Sequence, residues 1–215
     1  MTSPAPRRCS RPTSVATLEG PVSRYLNRPL SRPIARALAP TPLTPNAVSG
    51  IACAMAFGAL ALLAAGRNIE GGVLVQASSV VDGVDGDLAR AKGMATRFGG
   101  VFDAVLDRFA DAAIIAGMGW WALAHEDRPG TLVLAFAALV GALLVSYSRA
   151  RIEGAFGADA AADVLGIASR DVRLLALAVG AVAGQCWIAL LVVAAASYAT
   201  LAWRLIVLRA RPGAT

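Results

Sequence analysis

Six aspartates fall within 30 positions of this 215-residue chain: Asp82, Asp85, Asp87, Asp103, Asp107 and Asp111, out of 14 acidic residues in all. Asp82 and Asp85 are three apart and Asp103 and Asp107 four apart, so on helices each pair presents a single face. A hairpin turned near Lys92 to Arg97 brings the two faces together. Four carboxylates at one place repel one another unless cations neutralise them. Hard oxygen donors select Mg2+, Mn2+ or Ca2+, and two such ions balance four carboxylates and clamp a phosphate or pyrophosphate for in-line displacement. The glycines around them fit this chemistry. Gly83 and Gly86 cost helix stability but let a ligand approach the backbone. Gly99 precedes Asp103 by one turn, where a side chain would crowd the same face, and Ala89 is small for a similar reason. Arg90 is available to a phosphate or to an aspartate, and Asp87 stands where substrate specificity is tuned. The plain alternative is a solvated charged loop, and a spacing this specific argues against it.

The elements that hold these residues are apolar. The chain is 57% hydrophobic and 16% charged, with a mean hydropathy of +0.61. That excludes disorder and sets it apart from soluble domains, which are about 45–50% apolar and about 25% charged. One bilayer span needs ~20 apolar residues, so 57% of 215 supplies about six. The net charge of +6 fits cytoplasmic loops of a membrane protein better than a nucleic-acid partner. Cys9, Cys53 and Cys186 are far apart and form no CxxC, which gives neither a disulfide framework nor a zinc site. The polar N-terminus predicts no cleavable signal peptide.

Along the chain, residues 1–20 read as a flexible tail and 21–45 as an amphipathic juxtamembrane segment. In the latter an apolar row (Leu26, Leu30, Ile34, Leu38) interleaves with a cationic one (Arg24, Arg28, Arg32, Arg36), the pattern of a helix lying in the membrane surface. Pro29 and Pro33 predict that it is short or kinked. Residues 46–210 form the main domain, with Asn46 capping its first span. Charge-free runs at Ala47–Gly66 and Pro129–Ser148 are full-length spans. The runs at Gly71–Val81 and Ala112–Ala124 are completed by charged ends. Leu174–Trp203 holds most of two helices with a turn at Gly184 and Gln185. The fold class is therefore all-α, an integral-membrane bundle of six transmembrane helices with an N-terminal surface helix. Basic residues cluster at the N-terminus, at Arg90 to Arg97, at Arg149 to Arg173 and at Arg204 to Arg211, with only Arg67 and Arg128 on the other side. Both termini and the aspartates are thus expected to face the cytoplasm, in a cell inner or plasma membrane.

The run Asp82-x2-Asp85-Gly86-x2-Ala89-Arg90-x8-Gly99-x3-Asp103-x3-Asp107 resembles the signature of the CDP-alcohol phosphotransferase family at every position. The resemblance extends over the surface helix, the Pro-Asn before the first span and all six spans. It implies transfer of a phosphoalcohol from a CDP-alcohol to a hydroxyl acceptor, with release of CMP. It further implies that Asp82, Asp85, Asp103 and Asp107 hold two ions, Mg2+ or Mn2+, that Asp107 is the general base, and that Gly86, Ala89, Arg90 and Gly99 line the nucleotide site with Asp82 and Asp85. Homodimerisation is common in the family.

Arg149, Arg151, Arg170 and Arg173 lie toward the same membrane face, and guanidinium forks suit phosphate. Arg149, Arg151 and Arg170 are expected to bind an acceptor that already carries phosphate, with Arg173 the weakest of the four. Within the family the chain looks most like the membrane domain of di-myo-inositol phosphate phosphate synthases, which implies CDP-inositol as donor and inositol 1-phosphate as acceptor. The alternative is CDP-diacylglycerol with inositol phosphate or glycerol phosphate, which needs an apolar groove for acyl chains. A cation transporter is the non-enzyme alternative, but these acids lie at the membrane surface and not at its midplane. Asp111 reads as a structural partner of a basic side chain, His125 as a solvated loop residue, and Trp120, Trp121 and Trp203 as interfacial anchors.

Overall fold

The apolar runs become eight α-helices among the residues described, 20–164 and 166–210 of this computed structural model. In chain order they are α1 (Arg28–Leu38), α2 (Pro45–Ala64), α3 (Asn68–Lys92), α4 (Arg97–His125), α5 (Thr131–Phe156), α6 (Ala158–Asp163), α7 (Arg170–Val182) and α8 (Cys186–Arg209). The described residues contain no strand. The expected tail, residues 1–20, lies outside them except for Gly20, as do Cys9 and Arg211.

Three helices are long and apolar enough to cross a bilayer: α2, α5 and α8. At 1.5 Å per residue, α2 spans about 30 Å, the thickness of the hydrocarbon core. The 13 residues of α7 give only about 20 Å. Leu174–Trp203 therefore divides unequally, with most of its apolar length in α8. The turn falls where the sequence puts it, at Gly184, whose φ of +66° suits glycine.

The helix starts are set by short polar groups. The first span is capped by Thr44, not Asn46: the Thr44 hydroxyl accepts from the Ala47 amide at 3.3 Å and Pro45 occupies the first turn, where its missing N–H is harmless. Asn46, though exposed, sets its side-chain oxygen against Gly99 of α4. Thr96 caps α4 by accepting from the Gly99 amide at 2.9 Å, and Gly93, with φ +64°, ends α3. Residues 93–96 thus make the hairpin the aspartates need.

The juxtamembrane segment is helical through Pro33 to Leu38, preceded by a π-helical turn at Ser23–Asn27. Pro29 sits in its first turn, which is why it does not break the helix. Neither of its two sequence rows forms the main seam with α3. A third row does, Asn27, Ser31 and Ala35, all buried, while Leu26, Leu30 and Ile34 stay exposed. Small residues bring α1 close: Gly83 of α3 faces Ser31, and so it does not open toward a ligand.

The main core is built from α2, α3, α4, α5, α7 and α8 around Leu63, Ile114, Met118, Leu177 and Leu190. Alanine and glycine dominate the seams, as close packing requires where lipid is as apolar as leucine. A Cβ on Gly72 would stand 2.7 Å from the Ala178 carbonyl oxygen, so α7 reaches α3 only because residue 72 is glycine. Trp121 belongs to this core instead of an interface, and His125 stacks on it at the end of α4 remote from the aspartates, its Nδ1 2.9 Å from the Trp121 carbonyl oxygen.

Candidate active site

The hairpin of α3 and α4 brings Asp82, Asp85 and Asp103 together, with one carboxylate oxygen from each within 4.8 Å of the others. Three hard oxygen donors this close could hold a divalent cation. Ser49, one turn into α2, donates to Asp85, which is itself buried. Asp107 stands one turn beyond Asp103 and outside this triple. Its carboxylate meets Arg170 at 3.0 Å and Arg108 at 3.3 Å. Between Asp82 and Asp107 lies a cavity of about 10 Å³, lined also by Ser49, Ser78 and Arg170. That is room for one water-sized group.

On one side of the carboxylates opens a cavity of about 190 Å³. Its lining includes Asn46, Asp85, Gly86, Ala89, Arg90, Gly99 and Asp103. Of the six residues expected at a nucleotide site, Asp85, Gly86, Ala89, Arg90 and Gly99 share this wall, while Asp82 faces the small cavity beside Asp107. Glycine at 99 keeps the wall clear, since a Cβ would come within 3.1 Å of Thr96 Oγ1 and 3.3 Å of Asn46 Oδ1. Arg90 is held by Asp87 at 2.7 Å.

On the other side a cavity of about 230 Å³ is lined by Asp107 and by Arg108, Arg149, Arg170, Arg173 and Arg204. Arg149 is where the sequence expects it. Arg151 is not: it lies exposed on another face of α5 and does not line the cavity, because two residues along a helix do not share a side. Arg170 bridges three carboxylates through Nη1 and Nε, Asp82 at 2.6 Å, Asp107 at 3.0 Å and Asp111 at 3.2 Å, and still lines the cavity. Buried Asp111 also takes Arg173 at 3.2 Å, the structural role expected of it, and Arg173 donates to the Ala168 carbonyl at 2.7 Å. Asp87, expected to tune specificity, ties α3 to α1 through Arg28 and Ser31.

Four residues of these walls are not expected there from the sequence, which reads Asn46 only as a helix cap. Ser49 and Asn46 are polar groups at the charged end of an otherwise apolar span, which is the signal that marks them. Arg108 follows Asp107 directly. Arg204 is followed by Leu205, Ile206, Val207 and Leu208, and an arginine inside an apolar run is a functional candidate in its own right. Its guanidinium donates to the Val164 carbonyl at 2.9 Å and to Ser148 Oγ at 2.6 Å, stapling α8 to α5.

Known proteins resemble the chain in this region and beyond it. The sequence model of the CDP-alcohol phosphatidyltransferase family matches residues 42–157. A bifunctional IPC transferase and DIPP synthase of Rubrobacter xylanophilus is 48% identical over 194 residues, covering 89% of this chain and 43% of that one. The chain therefore spans less than half the length of that relative. The phosphatidylinositol phosphate synthase of Mycolicibacterium smegmatis is 38% identical over 200 residues, 88% of this chain and 86% of its own. The structure superposes on that of Mycobacterium tuberculosis phosphatidylinositol phosphate synthase with CDP-DAG bound, with a TM-score of 0.72 and 31% identity over 86% of this chain and 96% of the other. The same mycobacterial enzyme is also known in complex with manganese and citrate.

Proposed function

We propose that this chain, which belongs to the CDP-alcohol phosphatidyltransferase family, moves a phosphoalcohol from a CDP-alcohol to a hydroxyl of a phosphorylated polyol and releases CMP. One observation carries the reading: the carboxylates stand between a small-residue cavity and an arginine-lined one, with Asp107 at the border. Divalent ions, Mg2+ or Mn2+, bound by Asp82, Asp85 and Asp103, with Asp107 as a further donor, would neutralise the pyrophosphate charge. The chain's residues do the rest. Gly86, Ala89, Arg90 and Gly99 hold the cytidine nucleotide. The acceptor oxygen attacks the phosphorus that bears the donor's alcohol. The new P–O bond forms as the anhydride bond to CMP breaks, and the acceptor proton passes to Asp107. Arg170 and Arg108 fix that carboxylate, and Asp111 with Arg173 fixes Arg170 in turn. Such positioning is most of what phosphoryl transfer asks of a protein. Arg149 and Arg204 take the acceptor's phosphate, joined by Arg170; Arg151 is left out of this set.

The donor has two readings. An apolar groove of about 580 Å³ runs between α1, α3 and α7, from Leu30, Val80 and Leu175 near the carboxylate end to Gly72 and Val182. It supports CDP-diacylglycerol, with inositol phosphate as acceptor. The soluble donor CDP-inositol with inositol 1-phosphate, the expectation from sequence, is supported by the identity to the Rubrobacter relative. For the membrane, α3, α4 and α7 complete a six-helix bundle with α2, α5 and α8. The aspartate end lies at the cytoplasmic face, because Arg90, Lys92, Arg97, Arg149 and Arg209 gather at that end. The test is CMP release by the detergent-solubilised chain with Mg2+ or Mn2+ and inositol 1-phosphate, with the two donors side by side. Activity with CDP-diacylglycerol alone supports the lipid reading and activity with CDP-inositol alone overturns it. No CMP from either donor, with glycerol 3-phosphate also tried as acceptor, overturns the transferase reading.

A further inference from the structure

Asp87 uses its two oxygens for two different tasks. Oδ2 receives the surface-helix groups, Arg28 Nη1 at 2.8 Å and Ser31 Oγ at 3.0 Å. Oδ1 receives Arg90 Nη2 at 2.7 Å. Arg28 also donates to the Gly83 carbonyl at 3.2 Å, so its guanidinium is anchored to α3 at two points. Arg90 in turn lines the cavity beside Asp85 and Gly86, and its guanidinium lies 3.5 Å from where a Cβ on Gly86 would stand.

The magnitudes separate these contacts. Arg90 is 49% exposed, and a half-exposed i,i+3 ion pair contributes little because ordering two long side chains offsets the attraction. The pair of Asp87 with Arg28 is 13% exposed on both sides. Its carboxylate is already fixed in plane and position by α1, so Arg90 finds an oriented partner and loses less freedom in meeting it. Without α1, Asp87 would rotate and Arg90 would sample many rotamers.

We infer that Arg28 and Asp87 are positioning residues, a relay by which α1 sets the guanidinium of Arg90 in the wall of the nucleotide cavity. Arg90 meets the nucleoside diphosphate; Arg28, Ser31 and Asp87 act only through it. The inference rests on the reading of that cavity as the nucleotide site. It makes the surface helix a part of donor recognition and leaves acceptor recognition, on the far side of Asp107, independent of it.

The probe is CDP with Mg2+, titrated calorimetrically into the full detergent-solubilised chain. Arg90→Gln is expected to weaken CDP binding about tenfold, and Arg28→Gln about three- to tenfold, although Arg28 does not line the cavity. The double variant should bind no more weakly than Arg90→Gln alone. Ser31→Ala, which removes one tie and keeps the packing, should shift CDP binding in the same direction by less. Arg28→Lys should recover part of the loss, and the acceptor KM in CMP release should not move in any of them, as it would if α1 merely loosened the fold. CDP binding by Arg28→Gln and Ser31→Ala that equals wild type overturns the relay, and so does full additivity in the double variant. Where Arg28→Gln does not fold, Ser31→Ala against Asp87→Asn decides by the same criterion. Wild-type protein that does not bind CDP at all overturns the nucleotide reading, and the relay with it.

Discussion

The two cavities that meet at Asp107 are built in opposite ways. The proposed nucleotide side takes its walls from the start of α2 and one continuous hairpin, residues 85–103, and its lining is mostly small apart from Arg90 and Met94. The acceptor side is assembled from α4, α5, α7 and α8, and five arginines line it. One is a space kept clear by glycine and alanine; the other is a field created by convergent charge. A donor whose cytidine and pyrophosphate need close approach suits the first, and a small, highly charged polyol phosphate suits the second. On the proposed function, shape would select the donor and charge the acceptor, so substitutions on the two sides should fail in different ways.

The largest effect should come at the border. Asp107→Asn is expected to lower kcat for CMP release by about a thousandfold, within the range that a general base supplies, with the donor KM little changed. Next come the arginines. Arg149→Gln should raise the KM for the phosphorylated acceptor about tenfold or more, the worth of a charge-assisted contact to phosphate, and leave the donor KM alone. Arg204→Gln should do the same and also lower the thermal unfolding midpoint, because it strips a donor from the buried Val164 carbonyl. A smaller change is expected from Gly99→Ala. Its methyl would press on Thr96 and Asn46, which must give by a few tenths of an ångström, and CDP binding should weaken about threefold. Arg151→Gln, outside both cavities, should leave every constant within about twofold, as surface substitutions usually do. A loss there comparable to that of Arg149 would merge the two arginines again and break the division.

The same difference governs what could be read from sequence. The carboxylates and the small-residue wall beside them are legible because they share one hairpin: i,i+3 and i,i+4 spacing puts Asp82 with Asp85 and Asp103 with Asp107 on facing sides, and the turn residues Gly93 to Thr96 close the loop. Asp111, read as a partner for a basic side chain, does pair with Arg170 and Arg173. The acceptor wall depends on which side of α5 each residue faces and on how α8 lies against it. Ungoverned by any local spacing, it drew in Arg151 and left out Arg108 and Arg204. The surface helix shows a third case. Its periodicity is plain, but the seam runs along Asn27, Ser31 and Ala35, since close approach to α3 rewards small side chains and leaves the leucines outward. The shortness of α7 was equally hidden, because an apolar run of 30 residues does not say where it divides.

The division itself is tested most directly by steady-state CMP release with donor and acceptor concentrations varied together, for Gly99→Ala and Arg149→Gln against wild type. The expected result is a crossed one: a raised donor KM with unchanged acceptor KM in Gly99→Ala, and the reverse in Arg149→Gln. Equal increases in both constants in both variants would mean a single shared pocket, and would contradict a site divided at Asp107.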